Sequence, residues 1–194
     1  MKELLKKELQ RYLPTFSDEA MNLGLELFEE KTFKAKDLAL ETGNVCEDLI
    51  FAESSITRCF YHDQEGEEQT LWMKPEQTFV TDFKSFVHQA PSGFSIQMYE
   101  DTKVLCISRT NLLHLYQKSP EWAQFGVHLT EMLHVILIDV FVNLLANDAT
   151  KNYQYIEYMF PRFIQVAPLK DIASMLQMSP TSLSRIRSGT QTKG

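Results

Sequence analysis

Three zones of the chain differ in how their apolar positions are spaced. Over residues 1–29 the spacing is helical, with Leu4, Leu5 and Leu9 ahead of a break at Pro14. Ser17 then stands as an N-cap for the run DEAMNLGLELFEE. From about Thr32 to Ser108 the helical step is lost. Segments rich in β-branched and aromatic residues take over: DLIFAESSITRCFYH, TLWMK, FSIQMY and KVLCIS. Polar clusters separate them: Gly66 supplies the flexible position of a hairpin, Gly43 marks another turn, and Glu100-Asp101 forms a tight one. Short strands with a turn about every ten residues predict a β-roll, barrel or sandwich.

The helical step returns at Arg109 and runs to about Asn147. Gly126, Leu129, Leu133, Ile136, Val140 and Asn143 follow alternating steps of three and four, which draws one seam down a helix face. Met132, Leu137, Phe141, Leu144 and Leu145 form a second apolar strip beside it. One strip can cover the β-domain, and the other then requires a partner. A two-fold mate is the economical solution, with Leu129, Leu133, Ile136, Val140 and Asn143 as the dimerisation set and Asn143 fixing register. The alternative is one helix buried on all sides of a monomer. NDAT breaks this helix, and Asp148 or Thr150 caps the next, which holds Tyr153, Ile156, Tyr158, Met159 and Phe160. Pro161 and Pro168 bracket a short connector.

The last zone, PLKDIASMLQMSPTSLSRIRSG, reads as two short helices pinched around Gln177-Met178-Ser179. Ile172, Leu176, Met178, Leu183 and Ile186 supply a small shared core, and Ala173 permits a close crossing. Ser179 is an N-cap, and Pro180 at the first helical position lacks the N–H that would go unused there. Gln177 is the awkward residue, because the turn of a helix-turn-helix commonly uses Gly; a left-handed non-Gly backbone costs roughly 1 kcal/mol. The outward face of the second helix carries Pro180, Thr181, Ser182, Ser184, Arg185 and Ser188. In a major groove, Thr and Ser bond several base edges and Arg pairs bidentately with guanine. The N–H groups around Ser179 to Ser182 suit a phosphate, with Lys170 and Arg187 as further phosphate contacts. A plain interaction hairpin is the competing reading.

Charge supports the division. The chain carries −7 overall, yet residues 151–194 hold six cations against Glu157 and Asp171, a small basic module on an acidic body. Cys46, Cys59 and Cys106 are scattered, so they predict buried thiols and neither a disulfide framework nor a metal site. The N-terminus has no signal-peptide pattern, and the apolar run Met132–Leu145 is shorter than the roughly 20 residues of a bilayer span. A cytoplasmic protein without a membrane partner is expected. Nucleotide-binding glycine motifs and the serine-hydrolase elbow are absent, and His62, His88, His114, His128 and His134 include no pair four apart, so no enzyme and no cofactor are expected.

The order β-roll, seam helix, short helix and helix-turn-helix resembles the Crp/Fnr family of dimeric transcription regulators over nearly the full length. TFKAKDLALETG is similar to the family's first strand and turn, with Phe33, Leu38 and Gly43 in place and Lys36 where Gly is usual. PLKDIASMLQMSPTSLSRIRS is the strongest match. The resemblance implies an α+β fold: an N-terminal double-stranded β-helix (jelly-roll, cyclic-nucleotide-binding-like) domain over 1–120, a dimerisation helix over 121–147 and an all-α helix-turn-helix domain over 148–194. It also implies that Thr181 and Arg185 lie where members read bases. The implied partners are double-stranded DNA with a palindromic operator and a second copy of the chain.

The effector side departs from the family. Nucleotide-binding members carry F-G-E-[LI]-A followed by R-[ST]-A, whereas this chain has TFVTDFKSFVHQAPSGFSIQ. Asp82 and Ser92 are the candidates of a degenerate pocket, and the phosphate-pairing arginine is replaced near Ser92-Gly93. Losing that charge-assisted pair removes several kcal/mol, so cyclic AMP is not expected to bind. The small-molecule effector stays unidentified. GTQTKG is also too short and polar for the family's two-stranded wing. A second reading stands beside this one: a β-roll that binds a small molecule or protein, with a helix pair that does not touch DNA.

Overall fold

The computed structural model describes residues 1–75 and 77–189. The chain opens with α1 (Lys2–Tyr12) and α2 (Asp18–Leu25), the latter capped as expected by Ser17, whose side chain accepts the Ala20 N–H. Strands β1 (Glu29–Phe33), β2 (Leu38–Leu40), β3 (Asp48–Ala52), β4 (Thr57–His62), β5 (Glu68–Lys74) and β6 (Thr78–Val80) follow. A helix, α3 (Phe83–His88), then precedes β7 (Ser95–Met98) and β8 (Thr102–Ser108). The rest is helical: α4 (Arg109–Lys118), α5 (Pro120–Ala146), α6 (Ala149–Met159), α7 (Pro161–Val166), α8 (Leu169–Met175) and α9 (Pro180–Arg187).

The strands form two four-stranded antiparallel sheets, ordered β1-β8-β3-β6 and β2-β7-β4-β5, which pack as a β-roll. The apparent single run DLIFAESSITRCFYH turns a corner, placing β3 in one sheet and β4 in the other. The turn at Glu100-Asp101 is likewise a crossing between sheets, since β7 and β8 do not pair. Helix α3 was not expected within the β zone. It forms because Asp82 caps it, accepting the Lys84 and Ser85 amides.

Phe51, Phe79, Ile96, Met98 and Val104 fill the roll, each at most 1% exposed. The N-terminal helices close one end by an aromatic plug in which Trp122 and Phe125 of α5 meet Phe16 and Tyr12 edge to face. Gly24 makes this possible: a Cβ there would sit 2.0 Å from the Trp122 ring. A second core joins the roll to the C-terminal helices, with Ile56, just before β4, and Met73 of β5 packed among Tyr153, Ile156, Phe163 and Ile172.

Helix α5 runs 27 residues, about 40 Å. Burial does not divide along the two expected strips, since Met132 and Leu144 of the second also pack against the chain's own cores. Leu129 and Val140, from the expected dimerisation set, are each 2% exposed against the chain's own body, and Leu133 and Ile136 pack on the same side. Asn143 is half-buried and its side-chain amide donates to the Asp139 carbonyl one turn back, so it does not reach outward. The strip that stays open runs through Val127, Val135, Ile138, Phe141, Val142 and Leu145, the last 71% exposed. The run Met132–Leu145 is therefore the middle of a longer helix, one long and apolar enough by length and composition alone to cross a bilayer.

Candidate nucleic-acid interface and effector pocket

The terminal helix pair folds as its sequence dictates. Ile172, Ala173 and Leu183 are fully buried between α8 and α9, with Met178 and Ile186 packed at the edge. Burying Leu183 alone contributes about 1.5–3 kcal/mol. Ser179 accepts the Ser182 amide at 3.1 Å, and Pro180 occupies the first position of α9. Gln177 does adopt a left-handed backbone, φ +53°, as does Lys36 at φ +75°. In both places the chain accepts strain where glycine would have none.

Thr181, Ser182, Ser184, Arg185 and Arg187 all lie exposed on α9. Two details narrow the expected phosphate site. Ser182 gives its N–H to Ser179 and Pro180 has none, so the start of α9 offers a phosphate fewer donors than expected. Lys170 and Pro180 line a cleft whose other wall is the chain's own β4–β5 hairpin, with His62, Gly66, Glu67 and Glu68. Lys170 thus faces carboxylates before it faces any partner, and it helps, after Arg58, to hold the Glu68 carboxyl below its ordinary range. The residues GTQTKG beyond Ser188 lie, from Thr190 onward, outside the described residues.

What fastens this pair to the roll was not visible in the spacing. Arg58, 2% exposed on the outer face of β4, bonds Glu68 and the Thr70 hydroxyl, and its second guanidinium nitrogen lies 3.2 Å from Asp171 of α8. Asp171 in turn accepts the Tyr99 hydroxyl at 2.9 Å, and burial together with that carboxylate keeps Tyr99 protonated far above its usual range. The guanidinium also rests 4.5 Å from the Phe60 ring centroid. Ser174 adds two bonds to β5, accepting the Thr70 amide and donating to Gln69. Arg162 of α7 grips both oxygens of Glu100 at 3.1 Å. Glu68 is the first residue of β5 and a partner of a buried cation. A lone Arg in a strand of otherwise apolar character was the available signal.

On the effector side, Asp82 and Ser92 do come together. The Ser92 hydroxyl donates to Asp82 at 2.7 Å, while the other Asp82 oxygen caps α3. The Ser92 backbone is tied to Gly43 and Asn44. Both Asp82 oxygens thus already accept hydrogen bonds, and the Lys84 and Ser85 amides are capped. Among the described residues no group of three or more His, Cys, Asp or Glu is placed to hold a metal ion. Cys59, Cys46 and Cys106 are buried free thiols, and burial pushes Cys59 and Cys106 up to about 12.

No family model matches the chain, and no curated protein sequence does either. Solved structures do. The catabolite activator protein of Thermus thermophilus is 18% identical, with a TM-score of 0.58 over 94% of this chain and 85% of that one. FixK2 of Bradyrhizobium japonicum is 13% identical, with a TM-score of 0.69 over 84% and 83%. The c-di-GMP-responsive global regulator CLP of Xanthomonas campestris is 13% identical, with a TM-score of 0.67 over 92% and 96%. The class this defines is one of fold: an α+β chain built on an antiparallel β-roll with flanking helices, of the kind found in these regulators.

Proposed function

We propose that the chain is a homodimeric, sequence-specific DNA-binding transcription regulator of Crp/Fnr type, acting in the cytoplasm. The observation that carries this is the exposed polar face of α9, with Thr181 and Arg185 outward and Leu183 buried behind it, mounted on a fold shared with catabolite activator protein and FixK2. Residues 1–120 form the sensor roll, 121–147 the pairing helix and 148–194 the helix-turn-helix DNA reader. The pairing surface is the open strip of α5, Val127, Val135, Ile138, Phe141, Val142 and Leu145, because an apolar strip this long requires cover. A mate on that strip sets two α9 helices about 34 Å apart, one turn of DNA, and so calls for a palindromic site. The bonded Asp82–Ser92 pair and the missing arginine favour a protein that does not answer to cyclic AMP.

Selection of duplexes from a random pool, read by fluorescence anisotropy, tests the reading. Wild type enriches a palindrome, and Arg185→Ala loses about 1–3 kcal/mol on that site with little change on random DNA. Equal, sequence-blind affinity of the two proteins overturns it. Light scattering in detergent-free buffer gives a dimer that Ile138→Glu converts to monomer; a wild-type monomer overturns the pairing model.

A further inference from the structure

The β-roll and α5 border a half-open cavity of about 320 Å³, at the small end of the roughly 300–1,000 Å³ seen for ligand pockets. Its walls are aromatic and aliphatic: Trp72, Phe79 and Phe94 from the roll, Leu133, Ile136 and Leu137 from α5. Three charged side chains also reach it, and they are not equivalent. Asp82 has both oxygens taken by the amides of α3 and the Ser92 hydroxyl. Lys84 sits on the exposed side of α3. Lys74, the last residue of β5, is half-buried and makes no hydrogen bond or ion pair among the described residues.

An ammonium carries three donors and no acceptor, and desolvating it without a counter-charge is unfavourable. The cavity thus contains one unanswered positive charge at a greasy wall and no free carboxylate to meet it. A cyclic nucleotide fits this poorly, because its ribose and base need several polar partners. A single anionic head on an apolar body fits it well. We infer that the cavity binds a small apolar monocarboxylate, its head paired with Lys74 and its body packed among Trp72, Phe79 and Phe94. This deepens the regulator reading by naming its effector class, and rests on that reading for its role, since Leu133, Ile136 and Leu137 put the ligand against the proposed pairing helix.

Burial also draws the Lys74 pKa down to about 8. The groups around the amine are Cys59 from β4 and Asp82 and Lys84 at the start of α3, while α5 presents only apolar side chains to the cavity. An anion needs the protonated amine, so its affinity falls as pH rises past about 8.

The experiment uses the full chain without DNA, so that its outcome is independent of the DNA selection. 3-Phenylpropanoate and its neutral amide are titrated by calorimetry and by quenching of Trp72, with Trp72→Phe separating that signal from Trp122. The expected result is carboxylate binding about tenfold or more tighter than amide binding, a preference lost in Lys74→Met and lost in wild type above pH 9. Lys74→Met removes an unpaired buried charge, so its melting temperature stays at or above wild type and a folding defect does not blur the comparison. Equal affinity for acid and amide, undiminished carboxylate binding in Lys74→Met, or no saturable binding of 3-phenylpropanoate or octanoate overturns the inference.

Discussion

Helices α3 and α9 begin in the same way and end up in opposite circumstances. Each is short, and each has its first amides taken by a capping side chain, Asp82 for α3 and Ser179 for α9. Around α3 the remaining polar atoms turn inward: Asp82 holds Ser92, and Ser85 bridges the Cys46 amide and the Ala90 carbonyl. Around α9 they turn outward, with Thr181, Ser184 and Arg185 exposed and only Leu183 fully buried. A residue type in a family-like position says little until its bonds are counted. Asp82 and Ser92 serve as structural polar groups, bonded to one another and to the neighbouring backbone.

The largest effect expected from disturbing this contrast comes from loosening the support of α9. Arg58→Met leaves Asp171 buried without its cation, which costs about 3–5 kcal/mol and lowers the melting temperature by many degrees in a calorimetric scan. A change of under about 1 kcal/mol would show that the cluster is not what holds α8 on the sheet. Asp82→Ala comes next. It removes a cap and the Ser92 bond together, for about 2 kcal/mol in urea denaturation, while titration with cyclic AMP stays flat before and after. Micromolar heat from the wild type would instead make the Asp82–Ser92 pair functional. The smallest effect is a gain: Gln177→Gly relieves the left-handed turn and raises stability by about 0.5–1 kcal/mol, with DNA affinity unchanged.

Much of the local structure was legible in the residues. Ser17 and Ser179 cap as their side chains require, Asp148 takes the Lys151 amide in preference to Thr150 as cap, and Gln177 occupies the left-handed turn that its neighbours impose. Gly43 and Gly66 sit at positive φ where turns were expected. What escaped was tertiary. The period of α5 reveals two strips, but which of their residues lie on the roll depends on where Trp122 and Phe125 lock the helix against Phe16 and Tyr12, and sequence spacing holds no such information. Corners between sheets look like continuous strands, because β3 and β4 are both apolar up to the bend. The Arg58–Asp171 pairing spans more than a hundred positions, so the lone Arg of β4 does not by itself point to its partner.

The second core and the buried Arg58 cluster have a consequence for how the chain comes apart. Ile56 and Met73 lose their cover if α7 and α8 lift away, and Ile172 and Phe163 lose theirs if the roll opens. Neither half keeps its packing without the other, so heat or denaturant meets a single cooperative unit. The boundary proposed at residue 148 is thus not a place where packing stops and starts again.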